Sequence, residues 1–114
     1  MSGRAVLYVC TIPSDASAEI VQGRLFAERH RLLIGAEVTD NPHADETDPL
    51  HRVGWNRVRA MVQANWADVV IIPQPGHLAP ESRHELRYRE TRWLLEQKAR
   101  VFYTAGVRSG VVAR

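Results

Sequence analysis

Cys10, Ser14 and Ser17 are the side chains near the start of this chain that could act as nucleophiles. A cysteine attacks as its thiolate, and a positive neighbour must lower its pKa first. Cys10 ends an apolar run, so it is expected to be an inert core residue. Ser14 and Asp15 follow Pro13 and are expected to cap a helix through a side-chain oxygen.

Five histidines, at 30, 43, 51, 77 and 84, raise metal binding. No two of them stand four residues apart, and there is one cysteine. His43, Asp45, Asp48 and His51 form the one cluster with both ligand types close by. They lie in a polar, proline-closed segment where solvated side chains are ordinary, so no metal is expected. The sequence has no glycine-rich phosphate loop and no aromatic interleaving of the kind that stacks single-stranded bases. No small-molecule cofactor is expected. Arg83, Arg87, Arg89 and Arg92 crowd one stretch with His84. Arg83 and Arg87 share a helical face and are the candidates for DNA phosphate contacts. Glu85 can pair with Arg89 four residues on, and Glu81, Glu90 and Glu96 dilute the stripe. A mixed, solvated face is the plainer reading.

The chain has 114 residues, 45% hydrophobic and 25% charged, with a net charge of +2. That mix excludes a disordered tail, a collagen-like fibre and a disulfide scaffold. A single cysteine cannot form an internal disulfide and fits a reducing compartment. No apolar stretch is long enough to span a bilayer, and the protein is expected to be cytoplasmic and off the membrane. Charge is uneven along the chain. Residues 1–50 carry a net −4 and residues 81–114 a net +4. A basic C-terminal stretch permits contact with phosphate backbones without demanding it. Fourteen of the fifteen basic residues are Arg, a bias that GC-rich codon usage explains as well as bidentate phosphate binding does.

The elements that position these residues alternate. The apolar run 5–10 reads as a buried parallel strand. A helix over about 16–30 follows, with Ile20, Val21, Leu25 and Phe26 as its buried stripe. A second strand covers about 33–39, and an exposed, mobile loop covers 40–49. A helix over about 54–66 places Trp55, Val58, Met61, Val62 and Trp66 on one face. A third strand ends at Ile72, followed by the proline-rich loop 73–80. A long helix over about 81–99, anchored by Leu86, Trp93 and Leu94, leads to a fourth strand at 100–104. Residues 1–104 are expected to form one domain and 105–114 a flexible tail. The βαβαβαβ order predicts a three-layer α/β/α fold with about four parallel strands in flavodoxin-like order. Ligands in such folds gather beyond the carboxyl ends of the strands. Any site should therefore be built from 11–15, 40–49 and 73–80.

From about Ala5 to Thr104 these segments resemble the N-terminal catalytic domain of serine recombinases, the resolvase/invertase family. The family opens with a strand ending in Y-x-R-x-S; here the strand reads Tyr8-Val9-Cys10-Thr11-Ile12. The family's helix glutamine falls at Gln22 and its loop aspartate at Asp40. Its R-x-G motif falls at Arg52-Val53-Gly54. The D-R-L-x-R segment falls at Gly76-His77-Leu78-Ala79-Pro80.

The resemblance implies a fold and a DNA-directed ancestry, but also a dismantled active site. Family enzymes attack a DNA phosphate with the serine hydroxyl while arginines neutralise the developing charge. Here Ile12 stands at the nucleophile position, Cys10, His77 and Pro80 at arginine positions, and Gly76 at the aspartate position. Tyr8 and Arg52 match family active-site positions, and Leu78 is packing. His77 reads first as a loop residue with no role; protonated, it could still meet an anion, and Tyr8, Arg52 and His77 form the candidate retained pocket. Active members continue past this region into a dimerisation helix and a DNA-binding domain. The leading expectation is a catalytically inactive, recombinase-like domain that acts by binding DNA, a protein partner or itself. A divergent strand-exchange enzyme using Ser14 or Cys10 is the alternative. An interaction module with no nucleic-acid role is a further one.

Overall fold

A computed structural model describes residues 3–42 and 47–105. The strands are β1 (Arg4–Cys10), β2 (Leu33–Asp40), β3 (Val69–Ile72) and β4 (Arg100–Tyr103). The helices are α1 (Pro13–Arg29), α2 (Val53–Gln63) and α3 (His84–Glu96). Short 3₁₀ turns occupy Pro49–His51, Pro75–His77 and Glu81–Arg83. The sheet is fully parallel in the order β2-β1-β3-β4, the α/β architecture that the alternation of apolar runs and helical patterns implies.

Strand β1 shows why both faces are covered. Its side chains alternate, as a period of two requires. Val6, Tyr8 and Cys10 join one core with Trp55, Val58 and Val62 of α2 and Leu94 of α3. Ala5, Leu7 and Val9 join the opposite core with Phe26 and Ala27 of α1. Gly23 lets α1 lie close on β1, because a Cβ there would stand 2.5 Å from a Leu7 methyl.

Each helix ends the same way. The N–H of Leu32, Trp66 and Ala99 reaches back to the carbonyl of Ala27, Met61 and Leu94 respectively. The residue before each takes a left-handed backbone: Arg31 at φ 58°, Asn65 at 61° and Lys98 at 65°. This is the Schellman arrangement, which usually recruits glycine because other residues strain there.

Several expectations are corrected. Helix α1 begins at Pro13, so Ser14 and Asp15 lie inside its first turn, and Ile12 is its N-cap without a side-chain bond. Proline is well suited to that start because its missing N–H is not needed there. Val21 and Leu25 are exposed, and Phe26 with Ala27 forms the buried anchor. Trp66 falls beyond the end of α2 and is 39% exposed, because the Schellman turn at Asn65 swings it off the helix face. Helix α3 is shorter than expected, since Glu81–Arg83 forms a separate 3₁₀ turn after Pro80. Parts of the 40–49 loop are anchored: Pro49 is buried, and Asp48 caps its turn through Leu50 N–H at 3.0 Å. His43, Asp45 and residues 106–114 lie outside the described residues.

Candidate functional site

The carboxyl ends of β1, β2 and β3 converge on one polar cluster. Asp40, the last residue of β2, accepts hydrogen bonds from the Gly54 and Trp55 N–H groups, both at 2.9 Å. Those are orphan donors at the start of α2, so Asp40 caps that helix from a neighbouring strand. The cap demands glycine at 54, where a Cβ would sit 2.6 Å from both Asp40 oxygens. The Tyr8 hydroxyl donates to Asp40 Oδ2 at 2.7 Å. Arg52, the residue before α2, donates from one guanidinium nitrogen to the Tyr8 hydroxyl at 3.2 Å and to the His77 carbonyl at 2.7 Å. Its other terminal nitrogen reaches the Thr47 carbonyl at 3.4 Å.

Arg52 is only 3% exposed and His77 5%. The His77 ring accepts the Cys10 amide hydrogen at Nδ1, at 2.9 Å. Its Nε2 then carries the proton and faces Glu19 Oε2 at 3.7 Å. Burial, reinforced by the Arg52 charge, lowers the His77 pKa to about 4. At neutral pH the ring is therefore uncharged. The protonated form, on which the alternative of an anion contact at His77 depends, is opposed by both burial and the neighbouring arginine. Burial, followed by Cys10 and the Asp40 hydrogen bond, pushes the Tyr8 phenol well above its ordinary range, so it stays protonated. Trp55 closes the cluster, its ring edge-on to Tyr8 at 5.0 Å and 67°.

The structure thus brings Tyr8, Arg52 and His77 together, with Asp40 as the acceptor that ties them to α2. Cys10 is buried beside them. Ile12, at the corner between β1 and α1, is 51% exposed and presents a hydrocarbon there. Ser14 is exposed on the first turn of α1, and among the described residues no hydrogen bond ties it to a base. Leu78 is fully buried, in keeping with packing. Gln22 is exposed on α1.

Arg83 and Arg87 stand apart from one another in their engagements. Arg83 pairs with Glu85 at 2.6 Å, and Arg87 donates to the Ala79 carbonyl at 2.6 Å. Glu85 is therefore not the partner of Arg89. Arg89 instead bridges Asp48 at 2.6 Å and Glu90 at 2.7 Å.

Sequence reasoning missed the buried Glu90. It is fully inaccessible, accepts the Trp55 indole N–H at 2.7 Å, and pairs with Arg89 and with Arg59 at 3.2 Å. Arg59 also lies over the Trp93 ring, 3.9 Å from its centre. A signal was present: Glu90 falls midway between Leu86 and Leu94, on the core stripe of α3. Among the described residues no group of three or more His, Cys, Asp or Glu could hold a metal ion, and no helix is long and apolar enough to cross a membrane.

No protein-family model and no curated protein sequence matches the chain. Solved structures do. The N-terminal catalytic domain of TP901-1 integrase superposes with a TM-score of 0.74 at 15% identity, over 90% of this chain and 78% of that one. The C-terminal catalytic domain of ISC1926 TnpA, an IS607-like serine recombinase, gives 0.66 at 18% identity, over 89% and 68%. The first open reading frame of transposon ISC1904 from Sulfolobus solfataricus P2 gives 0.60 at 16%, over 87% and 65%. The chain has the fold of the serine-recombinase catalytic domain.

Proposed function

We propose that this is a recombinase-fold domain that acts by binding and does not cleave DNA strands. One observation carries the reading. The corner where the resemblance puts the nucleophile holds the exposed hydrocarbon of Ile12, while the polar groups behind it bond to one another. Losing one electrostatic donor costs about 10²–10³ in rate, and losing the nucleophile removes the covalent route altogether. Arg52 serves as an internal tie between Thr47, Tyr8 and the β3 loop. Its retention is thus accounted for by architecture. Tyr8 likewise serves as a donor inside the cap of α2. The partners that fit this reading are DNA or a protein associated with it, including a second copy of the chain.

The test is incubation of the purified protein with duplex DNA, followed by denaturing electrophoresis and mass spectrometry of any protein–DNA adduct. No adduct is expected. A covalent adduct on Ser14 or Cys10, lost in the alanine variant, would establish instead a strand-exchange enzyme with a rearranged nucleophile.

A further inference from the structure

The arginines around the candidate site are engaged internally or locally, so surplus positive charge has to be sought elsewhere. Arg24, Arg59, Arg83, Arg89 and Arg92 each have a carboxylate partner, and Arg52 and Arg87 bond to carbonyls. Apart from Arg57 on α2, which also lacks a carboxylate partner among the described residues, five cations stand exposed: Arg4, Arg29, Arg31, Lys98 and Arg100. None of these five has an acidic partner among the described residues.

Those five lie at one end of the molecule. Arg4 opens β1 and pairs in register with Leu33, two residues after Arg31. The backbone of Asp68 joins Arg4 on one side to Arg100 on the other, at 3.1 and 3.0 Å. With strands about 4.8 Å apart, Arg4 and Arg100 start strands on the order of 10 Å from each other. Lys98 is two residues before Arg100 and lines a cleft of about 490 Å³ with Arg4, Asn65, Trp66, Asp68 and Gln97. Arg100 sits over Phe102, which stacks against His30 at the end of α1, between Arg29 and Arg31. The row thus runs across all four strand starts, opposite the end that holds Tyr8, Arg52 and His77.

The helix dipoles explain part of this row. Cations are favoured by about 0.3–1 kcal/mol at helix C-termini, and Arg29, Arg31 and Lys98 lie there. Arg4 and Arg100 lie on strands and gain nothing from a dipole. Arg31 and Lys98 also hold left-handed backbones where glycine would be less strained. Asp68, Glu28 and Glu96 are acidic side chains beside this row; all three are exposed, and Glu96 is engaged by Arg92.

We propose that this strand-start edge is a docking surface for the phosphate backbone of duplex DNA. The inference rests on the reading that the domain acts by binding, and it gives that binding a face and a ligand class. Five cations without acidic partners, spread along a sheet edge, complement a uniform line of negative charge. An ammonium and several guanidinium groups suit phosphate oxygens, and contacts to the phosphate backbone carry no sequence information, so binding through them should be independent of sequence. Arg4, stacked on the half-open Trp66 at 4.7 Å and donating to its backbone carbonyl at 3.4 Å, presents its exposed guanidinium from a fixed platform.

The experiment is fluorescence anisotropy with a labelled duplex of arbitrary sequence, titrated between about 50 and 200 mM salt. The full chain should bind with an affinity that falls steeply with salt. The Arg4→Gln, Lys98→Gln and Arg100→Gln variants should each flatten the log–log salt slope by about 0.9, and the triple variant should bind about tenfold or more weakly. Asp68→Asn should tighten binding, a change that loss of structure cannot produce. Arg83→Gln, at the other end of the fold, should leave the slope unaltered. Circular dichroism melts confirm that each variant is folded. Binding that ignores the three substitutions, or that is lost with Arg83→Gln instead, overturns the placement. No salt-sensitive binding at all overturns the inference, while the adduct assay still decides separately whether the domain cleaves DNA.

Discussion

Removing the Asp40 carboxylate should unravel the junction between β2 and α2. Asp40→Ala deletes three hydrogen bonds: two from the Gly54 and Trp55 amides and one from the Tyr8 hydroxyl. Loss of an N-cap acceptor costs about 1 kcal/mol. The Tyr8 hydroxyl is buried and keeps only the longer 3.2 Å contact with Arg52, for a further cost of about 1–2 kcal/mol. The charge-assisted character of the amide bonds adds to this, giving a total of about 3 kcal/mol. For a domain this size that is about 12 °C in Tm. Urea denaturation of the wild type, Asp40→Ala, Tyr8→Phe and the double variant forms a thermodynamic cycle. Because the two side chains touch, the double variant should be less unstable than the sum by about 1–2 kcal/mol. Gly54→Ala supplies an independent check. Its Cβ would collide with the carboxylate at 2.6 Å, so it should be costly in the wild type and much cheaper when residue 40 is alanine. An Asp40→Ala loss under about 1 kcal/mol, or additive costs with Tyr8→Phe, would refute the reasoning.

Other outcomes follow from the same contacts. His77 has a folded pKa of about 4 against about 6.5 unfolded, so the unfolded chain binds the extra proton between those values. Stability should therefore fall as pH drops from about 6.5 to 4, by about 2–3 kcal/mol. His77→Asn, whose side-chain oxygen can accept the Cys10 amide, should flatten that stretch of the curve; unchanged slopes in chemical denaturation would count against it. Glu90→Gln keeps an acceptor for Trp55 but removes the charge facing Arg59 and Arg89. It should cost about 1–3 kcal/mol in urea, and a neutral result would mean that solvent serves those arginines equally well. Asn65→Gly should be neutral or slightly stabilising, and Asn65→Val should lose about 1–2 kcal/mol, because Asn65 holds φ at 61°. Equal melting temperatures for the two would argue against the left-handed turn.

Much of the fold is legible in the chain because its strands are short apolar runs bounded by breakers. Val69–Ile72 is buried throughout, as a central parallel strand must be. The resemblance singles out Tyr8, Arg52 and His77, and the strand ends do bring them together, as a buried cluster of groups bonded to one another. What escaped was energetic rather than topological. Periodicity assigned Val21 and Leu25 to the core of α1, but α1 seats itself on Phe26 and Ala27 and on the close approach at Gly23. Trp66 looked like a fifth core residue of α2, yet the helix ends at Gln63 and its Schellman turn redirects the chain. The sequence leaves the charge of His77 open, because its burial beside Arg52 is a tertiary fact that no local pattern encodes. The pairing of Arg89 with Asp48 spans 41 residues, and only the folded loop reveals it.

The central claim is that a recombinase fold here binds without cutting. The most direct measurement combines both halves in one tube: duplex DNA, the purified chain, native mobility at two salt concentrations, then a denaturing gel for covalent adduct. The expected result is a salt-sensitive complex that dissociates completely on denaturation. A complex that survives denaturation through a bond to a serine or cysteine side chain would contradict it.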